Sequence, residues 1–191
     1  MVASSGWRAN VSQRAALGAL TAGLALGGTA VSMSIWLLSG LSRALPAQPT
    51  RWGLVGAAVA ALARDFGVVR FGLPENRRLI PQSVFRRGPL IGPLRFGFEL
   101  GTGVRTYLPS TTPYLLALAL AIMPPPWPVA ILTGTAFGVG RSLTPWARYL
   151  AADKARWDER FTAQVSLIIR VSALAVSGGI VLAAVGQHLG G

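Results

Sequence analysis

Apolar and polar positions along this chain fall in long blocks. Residues 15 to 42, AALGALTAGLALGGTAVSMSIWLLSGLS, carry no charge. Crossing a bilayer takes about 20 apolar residues, so this block predicts a transmembrane helix. A cleaved signal peptide is the rival, helped by the small residues of ALPAQ. Its apolar core would cover about 7–15 residues, and the observed run is far longer, which favours an uncleaved first helix. RWGLVGAAVAALARDFGVVRFGL, 51 to 73, predicts a second span, interrupted by Arg64 and Asp65. Residues 74 to 95, PENRRLIPQSVFRRGPLIGPLR, are too polar to span and read as a basic loop.

A third apolar stretch covers 96 to 123 and ends at MPPPWP, a rigid turn because proline fixes its own backbone and restrains the residue before it. The fourth candidate, 128 to 146, has VAILTGTAFGVG as its apolar core, only about 18 Å of helix. ARYLAADKARWDERF reads as a charged amphipathic connector, and 163 to 187 closes the chain as a good span despite Arg170. The pattern predicts an all-α, polytopic transmembrane bundle in a single domain, residues 1–191. It has about five spans, with four to six compatible, because the second and third candidates are imperfect.

Composition agrees. Of the 191 residues, 52% are hydrophobic and 13% charged, against roughly a quarter charged in soluble domains. Twenty-three glycines and thirteen prolines suit membrane bundles, where neighbouring helices re-satisfy freed backbone groups. The 18 Lys+Arg against 6 Asp+Glu give +12, which raises nucleic acid as a partner. The basic residues lie between apolar runs, however, and no basic helix interleaved with aromatics occurs, so membrane topology explains them better. With the N terminus cytoplasmic, the inside loops carry Arg70, Arg77, Arg78, Arg86, Arg87 and Arg95, and then Arg141, Arg148, Lys154, Arg156 and Arg160. Arg43 and Arg51 fall outside, the asymmetry the positive-inside rule expects.

The third stretch holds the most unusual motif, RTYLPSTTPYLL at 105 to 116. Two arrangements fit. In one, Pro93 to Arg105 lies at the interface and Tyr107 to Met123 alone spans. In the other, two helical pieces meet at LPSTTP inside the protein. Pro109 and Pro113 remove two backbone donors, and Ser110, Thr111 and Thr112 offer hydroxyls to the exposed carbonyls. Broken helices are tolerated at membrane depth only under cover of protein or a water cavity.

P-S-T-T-P, preceded by G-T-G-V-R-T and followed by an apolar helix, resembles the P-C-x-x-P break of the cytochrome c biogenesis membrane proteins and their disulfide-reductase relatives. AFGVGRSLTP is similar to that family's glycine-arginine-proline segment, so the resemblance covers about residues 97–146. It implies a helical bundle of two related halves that passes reducing equivalents through paired cysteines. Here Ser110 stands at the cysteine position, no matching motif occurs in the first half, and the chain has no cysteine. Thiol exchange needs a thiolate, so the resemblance lends architecture and removes that activity.

Ionisable groups within spans are functional candidates because burying them is costly. Glu99, flanked by Gly97 and Gly101, lies four residues after Arg95, on one helical face with it. Glu99, Arg105, Ser110, Thr111 and Thr112 together make a candidate polar intramembrane site for an anion or proton. The alternative is charge pairing, among themselves or with Asp65 or Arg141, that fixes helix register. Arg64, Asp65 and Arg170 are expected near cytoplasmic ends, with room to snorkel. Arg77, Arg78, Arg86 and Arg87 set topology or meet anionic lipid or a partner. Three G-x-x-x-G patterns, Gly23/Gly27, Gly97/Gly101 and Gly134/Gly138, suggest close helix packing. Trp52, Trp127 and Trp146 read as interfacial anchors, and His188, near the end, as a solvated tail residue.

No P-loop, dinucleotide fingerprint or H-E-x-x-H occurs, and no metal or cofactor is expected. Two functions follow. One is a non-catalytic membrane subunit or assembly factor, meeting membrane lipids and either a membrane protein partner or further copies of itself. The other is a small transporter with its polar path at residues 99–113.

Overall fold

The structure, a computed structural model, describes residues 13–44, 47–72, 88–103 and 110–189; the side chains of 42–44, 47–49, 51 and 187–189 are outside that description. Every element found among the described residues is helical. The order is α1 (Gln13–Leu38), a 3-10 turn (Ser39–Ala44), α2 (Ala47–Asp65), α3 (Ile91–Gly101), α4 (Thr112–Ile122), α5 (Trp127–Leu150) and α6 (Lys154–Leu189). Two stretches, Gln13–Leu41 and Lys154–Gly186, are long and apolar enough to cross a bilayer.

Several boundaries differ from the sequence pattern, each for a local reason. The second helix ends at Asp65 rather than reaching 73. Gly67 takes φ 80°, its N–H donates to the Arg64 carbonyl at 2.8 Å, and the Val68 N–H donates to Ala63 at 2.8 Å. This paired closure around a left-handed glycine terminates a helix. The expected 74–95 loop yields its end to α3, which starts at Ile91, while residues 73–87 lie outside the described part. The third stretch is two helices of 11 residues each, about 16 Å apiece, so a single continuous 107–123 helix is not what forms. The first piece stops at Gly103, whose φ is 69° and whose N–H reaches Leu100 at 3.1 Å. In contrast, α5 is longer than its apolar core, running 24 residues through Arg141 and past Pro145. The charged connector shrinks to Ala151–Asp153, and the rest of it forms the ends of α5 and α6.

The chain divides into two compact units. One contains residues 13–33, α3 and α5 from residue 128, with Lys154; the other contains residues 34–72, α4 through Trp127, and α6 from residue 155. The first unit is held by backbone-to-backbone approach along α1. A Cβ placed on Gly23 or Gly27 would come within 3.0 Å of α3 backbone at Leu94 or Phe98, and one on Gly97 or Gly101 would meet Leu20 or Leu24 of α1. On a second face, Gly28 is equally tight against Gly134, and Gly138 against Leu24. Small residues permit this, because the surfaces gain dispersion contact only when no side chain holds them apart. Polar groups stitch the same seams. Ser32 Oγ donates to the Ala130 carbonyl at 2.8 Å, Thr29 and Thr135 hydroxyls lie 2.8 Å apart, and Trp146 Nε1 donates to Thr21 Oγ1 at 2.9 Å. Trp146 thus packs within this unit, whereas Trp52 and Trp127 are exposed.

The second unit has a conventional apolar core. Leu54, Ala58 and Ala61 recur on one face of α2 and pack with Leu115 of α4 and Ile180 of α6. Ala173, Ser177, Ile180 and Ala184 form the buried stripe of α6. Trp36 Nε1 donates to the Pro125 carbonyl at 2.7 Å, tying the start of this unit to the MPPPWP turn.

Candidate functional site

The polar break before α4 is organised by Asp65, a residue of the second unit that the sequence pattern had placed at a snorkelling helix end. It does not snorkel; its side chain is 1% exposed. Because α2 turns back at Gly67, its last residue is aimed at the start of α4. There Asp65 Oδ2 accepts from Ser110 Oγ at 2.9 Å, Thr111 Oγ1 at 2.8 Å and the Thr111 N–H at 3.0 Å. The Thr111 N–H also reaches Oδ1 at 3.3 Å.

This is helix capping supplied from another helix. The first turn of a helix leaves backbone donors without intrahelical partners, and a carboxylate there also meets the positive end of the helix dipole. Thr111 occupies the N-cap position but makes no side-chain capping bond of its own. Ser110 completes the cap, because its Oγ accepts the Thr112 N–H at 3.1 Å and lies 2.8 Å from Thr112 Oγ1. Pro113 stands in the first turn, where a missing N–H costs nothing.

Arg64 neutralises the carboxylate from its outer side, with Nη1 3.2 Å from Asp65 Oδ1. Its Nε donates to the Phe71 carbonyl at 3.0 Å, and the guanidinium lies 5.6 Å from the Phe71 ring centroid. Arg170 covers Phe66 in the same way, at 5.6 Å. Both Asp65 oxygens are thus engaged by donors of the protein itself. Chemically, the arrangement closes a polar gap in an apolar surrounding.

Among the sequence candidates, Ser110, Thr111 and Thr112 come together around Asp65. Glu99 belongs to the first unit, at the end of α3, and pairs with Arg95 (Nε to Oε1 3.6 Å), as the four-residue spacing anticipates. Arg105, Pro109, Arg77, Arg78, Arg86 and Arg87 lie outside the described residues, as does the His188 side chain. Asp65, which the sequence offered only as a possible charge partner near a helix end, is the residue around which the break closes, through Ser110 and Thr111. The available signals were Gly67, which marks the helix stop, and a proline-started helix with three hydroxyls but no acid of its own. Among the described residues, no three His, Asp or Glu side chains gather as a metal site. Comparison with family models, with curated proteins and with solved structures gives no match.

Proposed function

We propose that this chain is a multi-pass protein of the cytoplasmic membrane, without catalytic chemistry of its own, that serves as a subunit or assembly factor for a membrane partner. The membrane reading rests on the outward faces of its long helices. Only 22% of the apolar stretch of α6 is buried, and Leu167, Val171, Leu174 and Leu182 are each more than half exposed. Apolar surface on this scale seeks lipid or another helix. In this reading α1, α2, the α3–α4 pair, α5 and α6 make five spans, with the N terminus inside and the arginine-rich 74–95 segment cytoplasmic.

The single observation that favours a packing role over transport is the closed break. Ser110 and Thr111 spend their donors on Asp65, and Glu99 has Arg95, so the polar groups of residues 99–113 that are described already have protein partners. The resemblance to the cytochrome c biogenesis membrane proteins fits this reading as shared architecture carried without cysteine chemistry. Native mass spectrometry of the protein, extracted gently from its own membrane, tests the proposal. A reproducible second polypeptide supports a subunit. A lone chain or homo-oligomer retaining a small molecule that Glu99→Gln loses would overturn it in favour of transport.

A further inference from the structure

The first unit contains an open cleft of about 410 Å³ in which α1, α3 and α5 all take part. Its walls are apolar. Ala16, Leu17 and Leu20 come from α1, Pro93 and Phe96 from α3, and Pro145 from α5. The polar lining residues come from helix ends, Gln13 from the start of α1, Arg148 and Tyr149 from the end of α5 and Lys154 from the start of α6, and none of the ten lining residues is acidic. Arg148 and Lys154 are both exposed. A small-ligand site has about this volume, within roughly 300–1,000 Å³.

We propose that this cleft binds one anionic phospholipid, with its phosphate at Arg148 and Lys154 and the upper part of an acyl chain along Leu17, Leu20 and Phe96. Two cations beside an uninterrupted apolar wall match a ligand that is charged at one end and hydrocarbon at the other. A free phosphate would leave the wall wet, and a zwitterionic headgroup would bring its own cation against the two present. Basic pockets between membrane helices on the cytoplasmic side recognise acidic headgroups in this way. The inference rests on the membrane reading above, which puts Arg148 and Lys154 on the cytoplasmic side. It adds a defined lipid site whose two cations, Arg148 and Lys154, are not among the arginines of the 74–95 segment.

The test uses the full chain in mixed micelles containing either phosphatidylglycerol or phosphatidylcholine, with retained lipid counted by native mass spectrometry. One phosphatidylglycerol is expected to be retained, with a preference over phosphatidylcholine of about 30-fold, the value for two basic contacts. Arg148→Ala with Lys154→Ala should abolish that preference, while Arg160→Ala should keep it. Ala16→Trp, which leaves both cations and fills the apolar wall, should also lose the bound lipid, so the result does not hang on one variant's folding. Equal retention of the two lipids by the wild type, undiminished retention in the double variant, or displacement by equimolar inorganic phosphate would each overturn the proposal. A carbonate wash of native membranes separates the two levels of inference. Release of the chain would sink the membrane reading and the cleft with it, whereas a chain that stays in the membrane without lipid preference sinks only the cleft.

Discussion

Replacing Asp65 with alanine should be among the most damaging single changes outside the apolar cores, and the structure says why. Four donors of three residues, Ser110, Thr111 and Arg64, point at its carboxylate. They do not lose equally. Ser110 keeps Thr112 within reach at 2.8 Å, and the Thr111 hydroxyl keeps the Ala61 carbonyl at 3.4 Å. Arg64 keeps the Phe71 carbonyl. The Thr111 N–H, on a residue that is 4% exposed, keeps no partner among these. A buried donor left unsatisfied costs about 1–3 kcal/mol, and loss of the carboxylate's favourable field at the helix start adds about 0.3–1 kcal/mol. Together these come to about 1–4 kcal/mol. Asp65→Asn keeps one acceptor oxygen and should cost about half of that, within the usual range for losing a cap, about 0.5–2 kcal/mol. The assay is equilibrium unfolding in mixed micelles titrated with dodecyl sulfate, followed by far-UV circular dichroism. A double-mutant cycle with Ser110→Ala should return a coupling of at least about 0.5 kcal/mol, since the two side chains touch. An Asp65→Ala variant within about 0.5 kcal/mol of wild type, the range of an indifferent surface change, would refute the capping argument.

Other substitutions separate tight from loose positions by the same unfolding measurement. Gly97→Ala and Gly28→Ala would each press a methyl group into a neighbouring helix backbone and should cost about 1–3 kcal/mol. Gly178→Ala, which meets nothing within 4 Å, should be neutral or stabilise α6 by up to about 1 kcal/mol. Gly67→Ala forces a side chain into φ 80° and should destabilise by about 1 kcal/mol. Glu99→Gln breaks a 3.6 Å pair whose arginine is 45% exposed, so its cost should stay below about 1 kcal/mol. For topology, a reporter fused after Trp127 should be external and one after Arg87 internal; the reverse pattern would invert the proposed orientation.

The helical class and the first and last long helices were legible because they depend on block composition alone. An uncharged run of this length, residues 15 to 42, has few ways to be anything else. Helix ends were less legible because they depend on single residues. Gly67 and Gly103 stop α2 and α3 through left-handed backbone that a hydrophobicity pattern does not register. The α5 boundary differs the other way: the span expected over 128–146 runs on to Leu150, and within it the Arg141 guanidinium rests 5.7 Å from the Phe137 ring centroid one turn back.

The candidate site shows a deeper limit, which concerns pairing rather than identity. All three G-x-x-x-G patterns were visible, and all three lie at close contacts, but their spacing did not say which meets which. Gly23 and Gly27 take α3, whereas α5 is met one residue later on the same helix, through Gly28 and Ser32. A step of one residue turns a helix by about 100°, so α1 offers two separate small-residue faces and can hold two neighbours at backbone distance. Asp65 follows the same logic. Its chemistry was plain from its name, but its role was set by a glycine two residues later and by three hydroxyl-bearing residues some 45 positions away. Within one short stretch, a buried acid at a helix end signals only an expense. It becomes interpretable when a second stretch, such as Ser110–Thr112, has donors to spare and no acid of its own. That complementarity, read across the whole chain, was the available route to the site.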